Sequence, residues 1–249
     1  DVSITSTLDM PNLGINMPNM GTSTDVQKTY PHRCEWQDFP EVVLHVSDER
    51  LVKHHPAYAA AKAGDSDAAF EVVKQTVNET AILAIKNLAK GKIPLLVSAH
   101  AFEQSGVNAI PEALADEIST RTGFPVESSI VQSNVVGHTG ANGFTRLARQ
   151  ALFEGDVRSG ADYILVDDFV GQGGTLANLR GHIEHQGGTV IGATVLTGRP
   201  YSAKLNITDQ QLAELRSKHG TDLENWWKER FGHGFDCLTQ SEARYLTNT

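Results

Sequence analysis

Cysteine is scarce in this sequence, with only Cys34 and Cys237 among 249 residues. Two thiols so far apart in the chain indicate neither a disulfide framework nor a thiolate zinc site. We therefore expect both to be free thiols in a reducing compartment, and we assign the protein to the cytoplasm.

An excess of positive charge is also missing. The chain has 21 Lys and Arg against 30 Asp and Glu, a formal net charge of −9 at pH 7. No net positive field attracts nucleic acid or an anionic membrane, so we expect neither as a partner. A small substrate that is neutral or coordinated by a cation fits this charge better.

Long apolar runs are absent as well. The longest apolar stretches, such as residues 93–97 and 163–166, have the length of strands, whereas a membrane helix needs roughly 20 apolar residues. No basic start precedes an apolar run, so we expect no secretory signal. The chain opens at Asp1 without Met, which fits a piece of a longer polypeptide. The composition, 40% hydrophobic and 20% charged, excludes collagen-like, coiled-coil and wholly disordered proteins.

Residues 1–40 differ in composition from the rest of the chain. They are rich in Ser, Thr, Asn, Pro and Gly and show neither helical nor strand periodicity, which predicts an extended N-terminal arm. Its Met and Leu side chains could dock onto the core or a partner, but the commoner state of such a segment is a loosely held terminus, which we expect here. No linker divides residues 41–249, which we interpret as a single domain.

Strand and helix patterns alternate through the middle of the chain. This alternation predicts a parallel α/β sheet with helices on both faces, with its core at about residues 67–198. The predicted strands are 42–46, 93–99, 126–132, 163–166 and 189–196, and the predicted helices are 56–63, 67–90, 111–122, 144–154 and 175–186.

The tail, residues 199–249, has a different pattern. It carries three Ser/Thr-x-x-Glu/Gln signatures, in which a side chain at the helix start and one three residues later bond reciprocally to the backbone. We therefore predict three short helices forming a C-terminal hood, beginning at Thr208 with Gln211, at Thr221 with Glu224 and at Thr239 with Glu242.

The segment with the clearest chemistry follows the predicted strand 163–166. Asp167 and Asp168 come directly after this strand, and in open α/β sheets ligands bind beyond the carboxyl ends of the strands. The glycine-rich turn 171–175 then opens a helix and offers backbone N–H groups to a phosphate. Carboxylates beside a phosphate cradle indicate a phosphorylated sugar. The sequence contains neither a G-x-G-x-x-G nor a G-x-x-x-x-G-K-[ST] motif, so the dinucleotide and P-loop interpretations are excluded.

This segment, Tyr-Ile-Leu-Val-Asp-Asp-Phe-Val-Gly-Gln-Gly-Gly-Thr at 163–175, resembles the motif that binds phosphoribosyl diphosphate (PRPP) in type I phosphoribosyltransferases. The resemblance implies that Asp167 and Asp168 are catalytic and contact the ribose 2- and 3-hydroxyls. It also implies Mg²⁺ as the cofactor, held mainly by oxygens of the ligand. The residues it assigns to the 5-phosphate are Gly171, Gln172, Gly173, Gly174 and Thr175.

Two further loops are implied by the same resemblance. The loop after the first core strand, Ser98, Ala99, His100 and Ala101, corresponds to the pyrophosphate loop. A mobile loop at 136–144 would close over the reacting centre, and His138, Arg146 and Arg149 are its candidate residues.

The sequence also departs from the family. Gly171 stands where purine-salvage members often have an Asp, Gln172 replaces a usual Thr or Ser, and the pyrophosphate loop has no Arg or Lys. Residues 1–60 and 199–249 match no salvage enzyme.

The function implied by the resemblance is a pentosyltransferase of nucleotide metabolism. It would transfer phosphoribosyl from PRPP to an unidentified nitrogen acceptor, with a nucleobase as one option, and release pyrophosphate. Two alternatives stay open: a non-catalytic PRPP- or nucleotide-sensing or interaction domain of a larger polypeptide, and an effector-type transferase. A homodimer is compatible with each of them.

Overall fold

The computed structural model describes residues 30–99, 102–103, 106–134, 147 and 150–249. Five of its strands form one sheet in the order β1-β9-β8-β2-β5, and every neighbouring pair is parallel. Two further sheets are antiparallel strand pairs, β3 with β4 and β6 with β7. The strands are β1 (Val43–Val46), β2 (Leu95–Ser98), β3 (Phe102–Glu103), β4 (Gly106–Val107), β5 (Val126–Glu127), β6 (Val131–Gln132), β7 (Phe153–Glu154), β8 (Asp162–Val170) and β9 (Thr189–Gly198).

Helices cover both faces of the five-stranded sheet. Helices α1 to α5 pack on one face, where Ile164, Val166 and Leu196 of the sheet are buried against them. Helix α6 packs on the other face against Leu165 and Val195. The predicted parallel α/β sheet is therefore confirmed. The helices are α1 (Glu49–Lys53), α2 (Tyr58–Lys62), α3 (Ser66–Thr76), α4 (Glu79–Ala89), α5 (Ile110–Thr122), α6 (Gly174–His185), α7 (Asp209–Phe231) and α8 (Gln240–Thr247).

The predicted helix 67–90 is wrong in one respect, because two helices occupy it. Val77 leaves the helical conformation, and the Asn78 side chain then accepts a hydrogen bond from the Ala81 N–H at 2.8 Å, which begins α4. An Asn side chain competes with the helical backbone for such bonds and therefore favours a helix start.

The predicted strand 126–132 also divides. The Glu127 side chain accepts hydrogen bonds from the Ser129 N–H at 3.0 Å and the Ser129 hydroxyl at 2.7 Å, which turns the chain between β5 and β6. The predicted helix 144–154 is wrong at its end, where residues 153–154 form β7. Residues 150–152 are not helical either, residue 147 is helical, and 144–146 and 148–149 lie outside the described residues.

The hood, residues 199–249, contains α7 and α8 around an apolar cluster of its own that includes Trp227 and Phe235. Both reciprocal bonds of the capping box are present at Thr208 and at Thr239, as predicted. The helical backbone breaks at Gly220, which has φ 72° and ψ 175°. A helix start at this place is therefore confirmed, because two helical segments meet at Gly220. The reciprocal bonds predicted for Thr221 and Glu224 are wrong, since the Glu224 carboxylate instead accepts hydrogen bonds from the Arg216 guanidinium and the Phe235 N–H.

Residues 30–40 contain no helix or strand, yet they are docked on α6 and the hood. Arg33 is the centre of this contact: it donates to the Asn178 side chain at 2.6 Å and to the Glu242 carboxylate at 2.6 and 2.9 Å. Residues 30–40 are therefore docked on the core, whereas the expectation for this arm was a loosely held terminus. Residues 1–29 lie outside the described residues.

Among the described residues, no helix has both the length and the apolar composition that crossing a membrane requires.

Candidate functional site

The sheet contains a point where the chain reverses its direction of travel across the strands. From β2 the chain passes through α5 to β5 on one side, whereas β8 lies on the other side of β2 and leads through α6 to β9. The chain therefore leaves β2 and β8 in opposite directions across the sheet, and in open α/β sheets this arrangement gives a crevice at the carboxyl ends of the two strands. Ligands of open α/β sheets bind at such a topological switch point.

The acidic pair lies beside this crevice. The structure corrects the predicted strand end, because β8 continues to Val170 instead of ending at Val166. Pairing with β9 continues to Val170, but pairing with β2 stops where Ser98 faces Val166. Asp167 and Asp168 thus belong to the part of β8 that extends beyond its pairing with β2, on the side where the crevice is expected.

Asp167 is almost completely buried, with 7% of its surface exposed. Its carboxylate accepts a hydrogen bond from the Asp168 N–H at 2.8 Å. Burial, and next the negative charge of Asp168, raise the pKa of Asp167 well above its ordinary value. Asp167 therefore retains its proton to a higher pH than a solvent-exposed aspartate does.

Asp168 has a cationic partner that the sequence analysis missed. The ammonium of Lys62, the last residue of α2, lies 3.0 Å from Asp168 Oδ2. The side chains of Lys62 and Asp168 are 22% and 11% exposed. No local sequence signal connects two residues 106 positions apart, and only packing brings α2 to this edge of the sheet.

A second lysine lies close to the same strand end. The Lys53 ammonium stands 4.2 Å from the centre of the Phe169 ring and 2.6 Å from a Glu49 carboxylate oxygen. Lysines from α1 and α2 thus both lie near the carboxyl end of β8.

The glycine-rich turn opens α6, as predicted. Gly173 is the N-cap of this helix and has φ 81°, a left-handed backbone conformation that residues with a side chain rarely adopt. Within the described part of the chain, no group accepts a hydrogen bond from the N–H of Gly174, Thr175 or Leu176. These three donors at a helix N-terminus form an arrangement suited to an anion.

The hood packs against the back of this turn. The Thr239 hydroxyl donates to the carbonyl of Gln172. A Cβ at Gly173 would lie 2.5 Å from a Leu205 methyl, and one at Gly174 would lie 2.8 Å from Glu242 Oε1. The turn therefore has no room for side chains on the hood side, and its conformation depends on hood residues distant in sequence.

The predicted pyrophosphate loop begins at the same crevice. Ser98 ends β2, and the Ala99 N–H donates to the carbonyl of Val166 at 2.8 Å. The structure thus brings Ser98 and Ala99 next to the acidic pair. His100, Ala101, His138, Arg146 and Arg149 lie outside the described residues.

The crevice offers few side chains that could bind a metal ion without the help of a ligand. Among the described residues, no group of three or more His, Cys, Asp or Glu side chains could hold a metal ion. Asp168 is already paired with Lys62, and Asp167 accepts a backbone N–H. Mg²⁺ is commonly held by one or two carboxylates together with substrate phosphates, so these residues fit an ion that arrives on the oxygens of a ligand.

A cavity of about 770 Å³ lies at the other end of the strands, away from the acidic pair. Residues 34–40, the start of β9, and Arg180 and Glu184 of α6 are among those that line it. It borders the amino end of β9, so it is separate from the crevice.

Both cysteines, Cys34 and Cys237, are free thiols, as predicted. Burial is the first cause that raises the pKa of each to about 12, so neither is a thiolate at neutral pH.

Comparison with known sequences finds two curated relatives. The chain is 41% identical over 214 residues to "Protein TraN" of Escherichia coli, an alignment that covers 86% of this chain and 48% of that protein. It is 38% identical over 160 residues to an uncharacterized protein of Haemophilus influenzae, covering 63% of this chain and 35% of the relative. The chain thus spans about half the length of the first relative and about a third of the second. No protein-family model matches it.

Comparison with solved structures finds an adenine phosphoribosyltransferase and a UMP synthase among its matches. Adenine phosphoribosyltransferase of Thermoanaerobacter pseudethanolicus aligns with a TM-score of 0.33 and 17% identity, covering 57% of this chain and 74% of that one. UMP synthase of Leishmania donovani aligns with a TM-score of 0.30 and 17% identity, covering 67% and 32%. TM-scores this low support no conclusion about activity.

Proposed function

We propose that the crevice between β2 and β8 binds PRPP with Mg²⁺ and that the protein transfers the phosphoribosyl group to a nitrogen acceptor. The observation that carries this proposal is the convergence at one sheet edge of an acidic pair and a helix N-terminus whose N–H groups donate to no described residue. These two features suit the two ends of a phosphorylated ribose, because carboxylates accept from hydroxyls and backbone N–H groups donate to a phosphate.

Each part of the crevice has a defined task in this proposal. The N–H groups of residues 174–176 hold the 5-phosphate, and the turn Gly171, Gln172, Gly173, Gly174 and Thr175 surrounds it. The acidic pair accepts hydrogen bonds from the ribose 2- and 3-hydroxyls. The end of β2, with Ser98 and Ala99, faces the diphosphate.

The reaction breaks the bond between ribose C1 and the diphosphate oxygen and forms a bond between C1 and the acceptor nitrogen. The acceptor loses a proton to solvent, and pyrophosphate leaves with the electron pair of the broken bond. Positive charge develops on the ribose in the transition state, and a carboxylate close to it is stabilising. Mg²⁺, when bound, neutralises the charge of the diphosphate. The residues of this chain contribute positioning and electrostatic stabilisation, and no covalent nucleophile is required.

A non-catalytic PRPP-sensing domain of a larger polypeptide is the second candidate. One observation favours it: Gly171 offers no side chain for proton transfer near an acceptor. A sensor would use the same crevice, so binding and turnover have to be measured separately.

The test of binding is isothermal titration calorimetry of the protein with PRPP, with and without Mg²⁺. We expect micromolar binding that depends on Mg²⁺ and is lost in the double variant Asp167→Asn/Asp168→Asn. Asp162→Asn is the matched control, because Asp162 begins the same strand at its opposite end. Absence of binding by the unmodified protein, or equal binding by the double variant, contradicts the proposal.

The test of catalysis is pyrophosphate release in the presence of PRPP and a panel of nucleobases and other nitrogen acceptors. Release that requires an acceptor and the acidic pair supports the transferase. Binding of PRPP without release for any acceptor in the panel supports the sensor.

A further inference from the structure

The two carboxylates of the acidic pair have unequal surroundings. Asp167 has a neighbouring negative charge and a backbone N–H, whereas Asp168 has the Lys62 ammonium at 3.0 Å. Adjacent carboxylates in unlike environments commonly take different roles, because one readily remains protonated while the other stays ionised. Here the cation is the feature that separates them.

The position of Lys62 is determined by packing of its helix. Ala61, the residue before it, is fully buried against α3 and α5. The carbonyl of Ala61 also accepts a hydrogen bond from the Ala109 N–H at 3.1 Å, just before α5. The backbone that carries Lys62 is therefore held on both sides, and its side chain is directed to the strand end.

We propose that Lys62 is a positioning residue that orients the Asp168 carboxylate, so that Asp168 rather than Asp167 accepts hydrogen bonds from the ribose hydroxyls. This inference rests on the proposed function. It deepens that function by giving the two acids different tasks and by assigning a residue that the motif itself does not contain.

Few charged groups of the described residues surround this carboxylate. Asp167 neighbours it on its own strand, and Lys62 faces it from α2. Lys53 of α1 stands over Phe169 and is itself paired with Glu49. Loss of Lys62 therefore removes the cation that contacts this pair of adjacent carboxylates among the described residues, and such a pair takes up a proton more readily.

The test uses ribose 5-phosphate as the probe, because it contains the hydroxyls and the 5-phosphate but no diphosphate. Its dissociation constant is measured by calorimetry at about pH 6 and about pH 8.5, on either side of neutrality, for the unmodified protein, Lys62→Met and Lys62→Arg. Lys86→Met, on the exposed side of α4, is the control for removal of one positive charge.

We expect Lys62→Met to weaken binding about tenfold at the lower pH, the ratio that separates a charge-assisted hydrogen bond from a neutral one. This loss of affinity becomes smaller at the higher pH, because the pair of Asp167 and Asp168 gives up its proton there even when the lysine is absent. Lys62→Arg restores most of the affinity, and Lys86→Met has no effect. In an Asp168→Asn background, Lys62→Met changes the affinity less than about twofold, because the group it acts on is gone.

Each outcome separates the two levels of the argument. If the unmodified protein binds neither ribose 5-phosphate nor PRPP, the proposed function fails and this inference fails with it. If the unmodified protein binds, and Lys62→Met binds as tightly as the unmodified protein at both pH values, only the inference fails. A loss that is equal at both pH values and persists in the Asp168→Asn background also overturns it, because it indicates a merely structural lysine.

Discussion

The ion pair between Arg33 and Glu242 joins residues 30–40 to the hood across 209 positions of sequence. The two side chains are only 2% and 3% exposed. Burial by itself raises the pKa of Glu242, but the charge and hydrogen bonds of Arg33, together with the Thr239 N–H and His233, outweigh burial and hold that pKa below its ordinary value. Replacing Arg33 by Met therefore leaves a buried carboxylate without its cation.

The expected cost is large because the partner stays buried. Removing one member of a buried ion pair costs about 3–5 kcal/mol. Arg33 also donates to the Asn178 side chain at 2.6 Å, and that acceptor loses its donor as well. For a chain of about 250 residues, each kcal/mol corresponds to about 2–4 °C, so we expect the melting temperature to fall by about 6–20 °C.

The assay is urea denaturation followed by tryptophan fluorescence, with Arg33→Met compared to Arg50→Met. Arg50 also pairs with an aspartate, at 2.9 Å, but its side chain is 76% exposed. Exposed pairs contribute only about 0–1 kcal/mol, so Arg50→Met should change the free energy of unfolding little. The double variant Arg33→Met/Glu242→Gln should recover a large part of the loss, because Gln removes the charge and can still accept the Thr239 N–H.

The pH dependence gives a second check. A carboxyl group whose pKa is lowered by folding contributes stability above its unfolded pKa of about 4.3, and that contribution is lost as the pH falls through the folded value. The deficit of Arg33→Met should therefore be largest near neutrality and should shrink as the pH approaches 4. A cost below about 1 kcal/mol at neutral pH, like that of an exposed pair, refutes the reasoning.

Three further predictions concern single positions. Asp167→Asn should stabilise the protein, because the pKa of Asp167 is raised in the folded state and ionising it there is costly; the gain in melting temperature should be larger at pH 8 than at pH 5, and an equal gain contradicts this cause. Gly181→Ala should lower the stability by about 1–3 kcal/mol in urea denaturation, because its Cβ would lie 1.9 Å from the His32 carbonyl oxygen; unchanged stability would mean that residues 30–33 do not pack there. Asn78→Ala should cost more than about 1 kcal/mol in urea denaturation, because it removes the α4 cap and also the side-chain N–H donor to the His45 carbonyl; unchanged stability would argue against both contacts.

Local patterns in the sequence predicted a large part of the fold. The capping boxes at Thr208 and Thr239 involve atoms three residues apart, so a short stretch of sequence contains the complete interaction. The buried strands β8 and β9 are apolar on both faces, which is the pattern of a parallel sheet covered on both sides. The turn at Gly173 was also predictable, since a residue with left-handed backbone angles just before a helix is usually glycine.

Errors arose where a local pattern competed with another local bond. Apolar spacing continues through residues 67–90, but the Asn78 side chain begins a new helix there. The signature at Thr221 is present in the sequence, but Glu224 forms a stronger, charge-assisted contact with Arg216.

The sequence by itself determined that this chain forms a parallel α/β sheet and that an acidic pair precedes a helix start rich in glycine. The tertiary structure alone decided that β8 extends beyond its pairing with β2, that Lys62 faces Asp168, and that Arg33 closes on Glu242. The reason is physical: helix caps, turns and strand patterns depend on atoms a few residues apart. A contact between residues 106 or 209 positions apart depends on how whole helices pack, which no short segment encodes.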